Sequence, residues 1–196
     1  MGDIRSAREI ALEKIEKLGE ATEEERLKWK YVPEGEKLCA DYLKRARNLA
    51  IEIEKYEEGA KRYVIEGAAG ILIRNINLPR NDTAKRNNKQ AMDGIKVLKT
   101  DKVGVENVYS KIRRIFTHYA EDGEQQRKQA YESLKVDFEA KVQQAMQQQL
   151  GTMARMNIDV EKQPQFHEEW RNLLIQLDSQ YLTLLDEYKQ ELANIN

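Results

Sequence analysis

Residues 39–70 read CADYLKRARNLAIEIEKYEEGAKRYVIEGAAG, and the reading of this stretch decides the fold. Cys39, Tyr42, Ala46, Leu49, Ile53, Tyr56, Ala60, Tyr63, Gly67 and Gly70 recur at alternating intervals of three and four. Those intervals return side chains to one face of an α-helix and, when sustained, give the a/d seam of a coiled coil. Leu43, Ala50, Val64 and Ile71 add a second apolar line, which makes the buried stripe wide enough for more than one partner helix. The pattern predicts one helix from about residue 34 to about residue 76, roughly 60 Å long. Pro33 suits its first turn, where the missing N–H breaks no bond. The small residues of "EGAAG" at 66–70 predict a close helix crossing there, with a hinge as the alternative.

On the N-terminal side, Asp3 and the spacing of Ile4, Ala7, Ala11, Ile15 and Leu18 predict a first helix ending at Gly19. Thr22 and Glu25 have capping-box spacing, so a short second helix is expected to carry Leu27, Trp29 and Tyr31 into a loop at Val32. On the C-terminal side, Pro79 stops the long helix. Asn81 or Asp82 then caps a helix over 83–99, whose buried face holds Ala84, Ala91, Ile95 and Leu98. Thr100 and Asp101 mark another break before an amphipathic helix through Val105, Val108, Tyr109, Ile112, Ile115, Phe116 and Tyr119. Gly123 is a candidate kink, and the pattern then continues through Tyr131, Leu134, Phe138 and Val142 to a C′ residue at Gly151. A loop over 152–163 precedes Pro164, which opens the last helix and the broadest apolar face of the chain.

Composition agrees with an all-α chain. Only three prolines and ten glycines occur, and 34% of residues are charged, more than a thick globule needs. The expected architecture is an elongated antiparallel helical bundle with coiled-coil character, of about five or six helices, three of them long. It is expected as a single domain over 1–196, subdivided if at all into 1–78, 79–151 and 152–196. Cys39 is the sole cysteine, which excludes an internal disulfide and points to a reducing compartment. No apolar run approaches the roughly 18–20 residues needed to span a bilayer, and the N-terminus lacks a signal-peptide core. A cytoplasmic location and no membrane are therefore expected. Gly2 with Ser6 and the "NDT" at Asn81 match short modification patterns that carry little weight.

The net charge is −1, but it is unevenly spread: residues 71–120 carry 11 basic and 4 acidic side chains, and residues 121–196 carry 8 and 14. Arg74, Arg80, Lys85, Arg86, Lys89, Lys96, Lys99, Lys102, Lys111, Arg113 and Arg114 make a basic island. It could serve as an electrostatic footprint for nucleic acid. No aromatic residue falls between Arg74 and Lys102 to stack a base, so pairing with the acidic C-terminal third is the preferred expectation.

Candidate chemistry is sparse. His118 and His167 lack both the H-E-x-x-H spacing of a zinc site and the Glu-x-x-His spacing of a di-iron bundle. His118 with Glu121 reads as a solvated helix pair. Cys39 lies on the apolar seam, where a thiol behaves as a small hydrophobe. No phosphate-cradling glycine loop occurs. No catalytic residue, metal or cofactor is expected. The expected function is a non-enzymatic cytoplasmic scaffold or interaction bundle, whose partner is a second copy or another helical protein. The contact residues expected are Tyr42, Leu49, Ile53, Tyr56 and Tyr63 on the long helix and Trp170, Leu174, Tyr181 and Leu185 on the last, although all could equally be core. The alternative is a module that presents the basic island to nucleic acid or an acidic partner.

Overall fold

The structure, a computed structural model, describes residues 22–45, 48–150 and 159–195. The expected first helix over 3–19, the position of Ala46, Gly151 and most of the 152–163 loop lie outside these residues. The protein is all-α. Among the described residues it has α1 (Glu23–Arg45), α2 (Leu49–Ile53), α3 (Glu58–Arg74), α4 (Asp82–Leu98), α5 (Lys102–Ala120), α6 (Asp122–Leu150) and α7 (Pro164–Asn194), with a 3-10 turn at Val160–Lys162. None of these helices is long and apolar enough to cross a membrane.

The continuous 34–76 helix is not formed. Asn48 adopts an extended conformation and its side chain accepts hydrogen bonds from the N–H groups of Ala50 (3.1 Å) and Ile51 (3.4 Å). The chain breaks again between Ile53 and Glu58. The sequence pattern recorded burial rather than continuity: Cys39, Leu49, Ile53, Ala60, Tyr63 and Gly67 are all buried, but on three separate helices. A polar residue that offers the backbone local bonds competes with helix propagation, and Asn48 does so here. Nor does α1 begin near Pro33. The capping box starts it: Glu25 N–H donates to Thr22 Oγ1 (3.2 Å) while Thr22 N–H donates to the Glu25 carboxylate (2.8 Å). The helix then runs through Val32, where a loop was expected, and Pro33 lies inside it.

The described chain divides into two compact units. One holds the described residues up to Ile73 together with Asp93–Leu98; the other holds Arg74–Met92 and the described residues from Lys99 onward. Helix α4 therefore gives its last six residues to the first unit and the rest to the second.

In the first unit α1 and α3 cross with their backbones in contact, as "EGAAG" predicts. A Cβ on Gly67 would fall on the Val32 carbonyl group, and one on Gly35 would fall on that of Val64. Only glycine fits at such a separation. Lys28–Glu66 (2.7 Å) and Arg62–Glu24 (2.8 Å) ion pairs flank the crossing. Gly94 allows a similar approach, since a Cβ there would lie 2.8 Å from Leu72 Cδ1 and 3.0 Å from Tyr42 Cε1.

In the second unit α7 runs antiparallel along both α5 and α6. Contacts move back along α7 as they advance along its partners: Lys111 to Glu191 (2.7 Å) and His118 to Tyr181 (2.9 Å) from α5, then the ring of Tyr131 to Trp170 and that of Phe138 to Phe166 from α6. Lys99 donates to the carbonyls of Ala193 and Ile195, placing a cation at the carbonyl end of α7. Asp101 caps α5 by accepting from Gly104 N–H (2.8 Å). The turn before α4 is braced by Asn88, whose buried amide accepts from Asn77 N–H (2.8 Å) and donates to Asn77 C=O (2.6 Å). Asn81 caps α4, and Lys85, Arg86 and Lys89 point outward as the sequence predicts.

Candidate functional site

The expected contact residues are distributed between core and clefts. Leu49, Ile53 and Tyr63 are buried in the first unit, and Leu185 is buried in the second. Tyr42, Leu49 and Tyr56 are brought together along a cleft of about 380 Å³ between α1 and α2. Trp170 stacks edge-on against Tyr131 (5.0 Å between centroids), and Leu174 and Tyr181 line two different clefts on opposite flanks of α7.

The basic island is used largely within the chain. Arg80 pairs with Asp178 (2.6 Å), Lys111 with Glu191 (2.7 Å), Arg113 with Glu106 and Lys85 with Asp82 (3.4 Å). Arg86 reaches Thr83 (3.4 Å), Lys99 caps α7, and Lys102 donates to the carbonyl of Lys99 (2.6 Å). Arg74, Lys89, Lys96 and Arg114 are exposed. Two of these pairs, Arg80–Asp178 and Lys111–Glu191, join the island to the acidic C-terminal helix.

One flank of α7 forms with α5 a groove of about 600 Å³. Ile115, Leu177 and Leu184 give it an apolar lining, and Lys111, Arg114 and His118 belong to its α5 side. Leu184 is 43% exposed, a large apolar side chain presented to solvent beside an apolar channel. His118 does not pair with Glu121. Its Nε2 lies 3.2 Å from the Asp122 carboxylate, one turn on, and its Nδ1 lies 2.9 Å from the Tyr181 hydroxyl. Burial raises the Tyr181 phenol above its ordinary value, so this exposed Asp–His–Tyr chain orients the tyrosine rather than ionising it.

The opposite flank holds a cleft of about 610 Å³ among the turn before α4, the α5–α6 junction and α7. At its base Asp178 is 4% exposed. One carboxylate oxygen accepts from Arg80 (2.6 Å) and, at 3.4 Å, from the Tyr119 hydroxyl; the other has no protein partner. Burial and the neighbouring Asp178 charge raise the Tyr119 phenol, so it acts as a donor there. Arg127 stacks on the Tyr119 ring (4.1 Å) and its Nη2 donates to the Tyr119 carbonyl (3.1 Å), while its Nη1 is buried without a protein partner. Gly123 makes room, because a Cβ there would lie 3.1 Å from both Arg127 Nη1 and the Tyr181 hydroxyl. Sequence reasoning missed Asp178, Arg127 and Tyr119 as a group. Asp178 carried the only available signal, as a carboxylate among the apolar positions of the last helix.

Among the described residues no group of three or more histidine, cysteine or carboxylate side chains stands close enough to hold a metal. Residues 50–194 match DUF6657, a family of unknown function, and the chain belongs to that family. No curated protein and no solved structure matches it.

Proposed function

We propose that this DUF6657 member is a non-enzymatic, cytoplasmic interaction module that receives an amphipathic helix of a partner protein in the α5–α7 groove. The observation that carries the reading is Leu184, a large apolar side chain exposed beside the apolar lining given by Ile115 and Leu177. An apolar channel on a helical bundle fits the i, i+3, i+7 anchors of a further helix. Arg114, exposed on the α5 side, favours acidic residues on that helix. The free, buried thiol of Cys39 fits a reducing compartment. Self-association belongs to this reading only through the groove, because the long rod that suggested it is divided into three helices.

The test is a photo-crosslinking amino acid at position 184, introduced in cells, with the adducts identified by mass spectrometry. A discrete adduct that disappears when the half-buried Leu177 is changed to Glu, with the helical circular dichroism retained, is the expected result. A position 184 that captures nothing above an exposed control site such as 136 would overturn the reading. Light scattering of the pure chain separates a second copy from a different partner.

A further inference from the structure

We propose that the cleft on the other flank of α7 binds a protonated phosphate group, as hydrogen phosphate or as the phosphate of a small phosphomonoester. Two unsatisfied groups of opposite sense belong to the residues that line it: a buried guanidinium nitrogen of Arg127, which must donate, and a buried carboxylate oxygen of Asp178, which must accept. Leaving either unpaired is costly in a buried site.

Four cations line the cleft, Arg80, Lys85, Arg127 and Arg171, against the carboxylates of Asp178 and Glu124. Arg80 already neutralises Asp178, and Lys128 holds Glu124 (2.7 Å) and keeps its carboxyl below the ordinary range. The balance left for a ligand is positive. Arg127 is pre-positioned for it by its stacking on Tyr119 and its bond to the Tyr119 carbonyl.

A plain oxyanion would satisfy Arg127 but place a lone pair against Asp178. A cationic ligand would satisfy Asp178 but meet the arginines. A phosphate that retains one proton does both, because its oxygens accept from Arg127 and Arg171 while its P–OH donates to Asp178. At about 610 Å³ the cleft exceeds what a phosphate needs, and Leu174 with the 62% exposed Ile175 offers apolar wall for an organic remainder. The site shares no residue with the α5–α7 groove, so this inference stands independently of the partner reading.

The test is calorimetric titration of the whole chain with inorganic phosphate, glycerol phosphate and sulfate at matched ionic strength. Sulfate has the same shape and carries no proton near neutrality. Phosphate or glycerol phosphate is expected to bind at least about tenfold more tightly than sulfate, since sulfate leaves the buried acceptor facing an acceptor. The tighter of the two phosphates identifies whether the free ion or the ester is the ligand. The Asp178→Asn variant, whose amide can turn a donor to the ion, is expected to lose the preference and accept sulfate; Arg127→Gln is expected to lose both. Equal binding of sulfate and phosphate by the unmodified chain, or binding of neither, overturns the proposal without reliance on any variant's folding.

Discussion

Gly67 and Gly35 show how much of this structure depends on single atoms. Each faces a carbonyl of the other helix where a methyl group would overlap backbone, and backbone at a crossing cannot step aside as a flexible side chain can. Gly67→Ala is therefore expected to destabilise the chain by about 1–3 kcal/mol, the range for overpacking, and to lower the urea midpoint. Gly59→Ala, where a Cβ meets nothing, is the control and should leave that midpoint level or slightly higher. Cys39 is the second case. It is fully buried, and burial pushes its thiol up to about 12. An aromatic disulfide reagent near pH 8 should label no thiol in the native chain and one in denaturant; prompt native labelling would contradict the buried position. Gly67 and Cys39 were legible in the sequence because they fall on the apolar stripe, whereas Gly35, off that stripe, gave no sign of its contact with Val64. A small residue in an otherwise apolar stripe announces a close approach.

The boundaries of helices were read less well than their faces. Thr22, Asn81 and Pro164 each open a helix as the sequence predicts, and Asp101, expected only as a break, caps one too. Asn48 leaves no mark on the pattern because the apolar interval continues across it. The cost of stopping and restarting a helix is offset there by two cap bonds, and Asn48→Ala should lower stability by about 1 kcal/mol. The 3-10 turn before α7 gives a prediction in pH. The Tyr131 hydroxyl (2.7 Å) and Lys135 (3.4 Å) hold the Glu161 carboxyl below its ordinary 4.5, and Lys162 holds Asp159 below 3.8. Folded values that are depressed contribute stability above the ordinary range, and that contribution is lost as pH falls through them. The melting temperature should therefore drop as pH is taken from about 6 to about 3, and Glu161→Gln should flatten part of that drop. A slope unchanged by the substitution would show that the bond to Tyr131 contributes nothing.

The all-α class was legible from composition and periodicity. The division into two compact units was not, because it depends on which distant segments meet rather than on any local signal. Nor was the phosphate cleft, whose residues come from four segments between Pro79 and Asp178. Asn88 illustrates the gap: one asparagine in a run of polar residues gave no sign that it would be buried against Asn77. A fragment ending at Ile73 lacks Gly94, Ile95 and Leu98, all buried. It is expected to melt without a cooperative transition by circular dichroism, while a fragment ending at Leu98 regains one. Helix α4 carries a wider implication. Because one uninterrupted helix completes both bodies, no single cut in the gene leaves both of them whole, and the pair should be inherited, duplicated or transplanted only together.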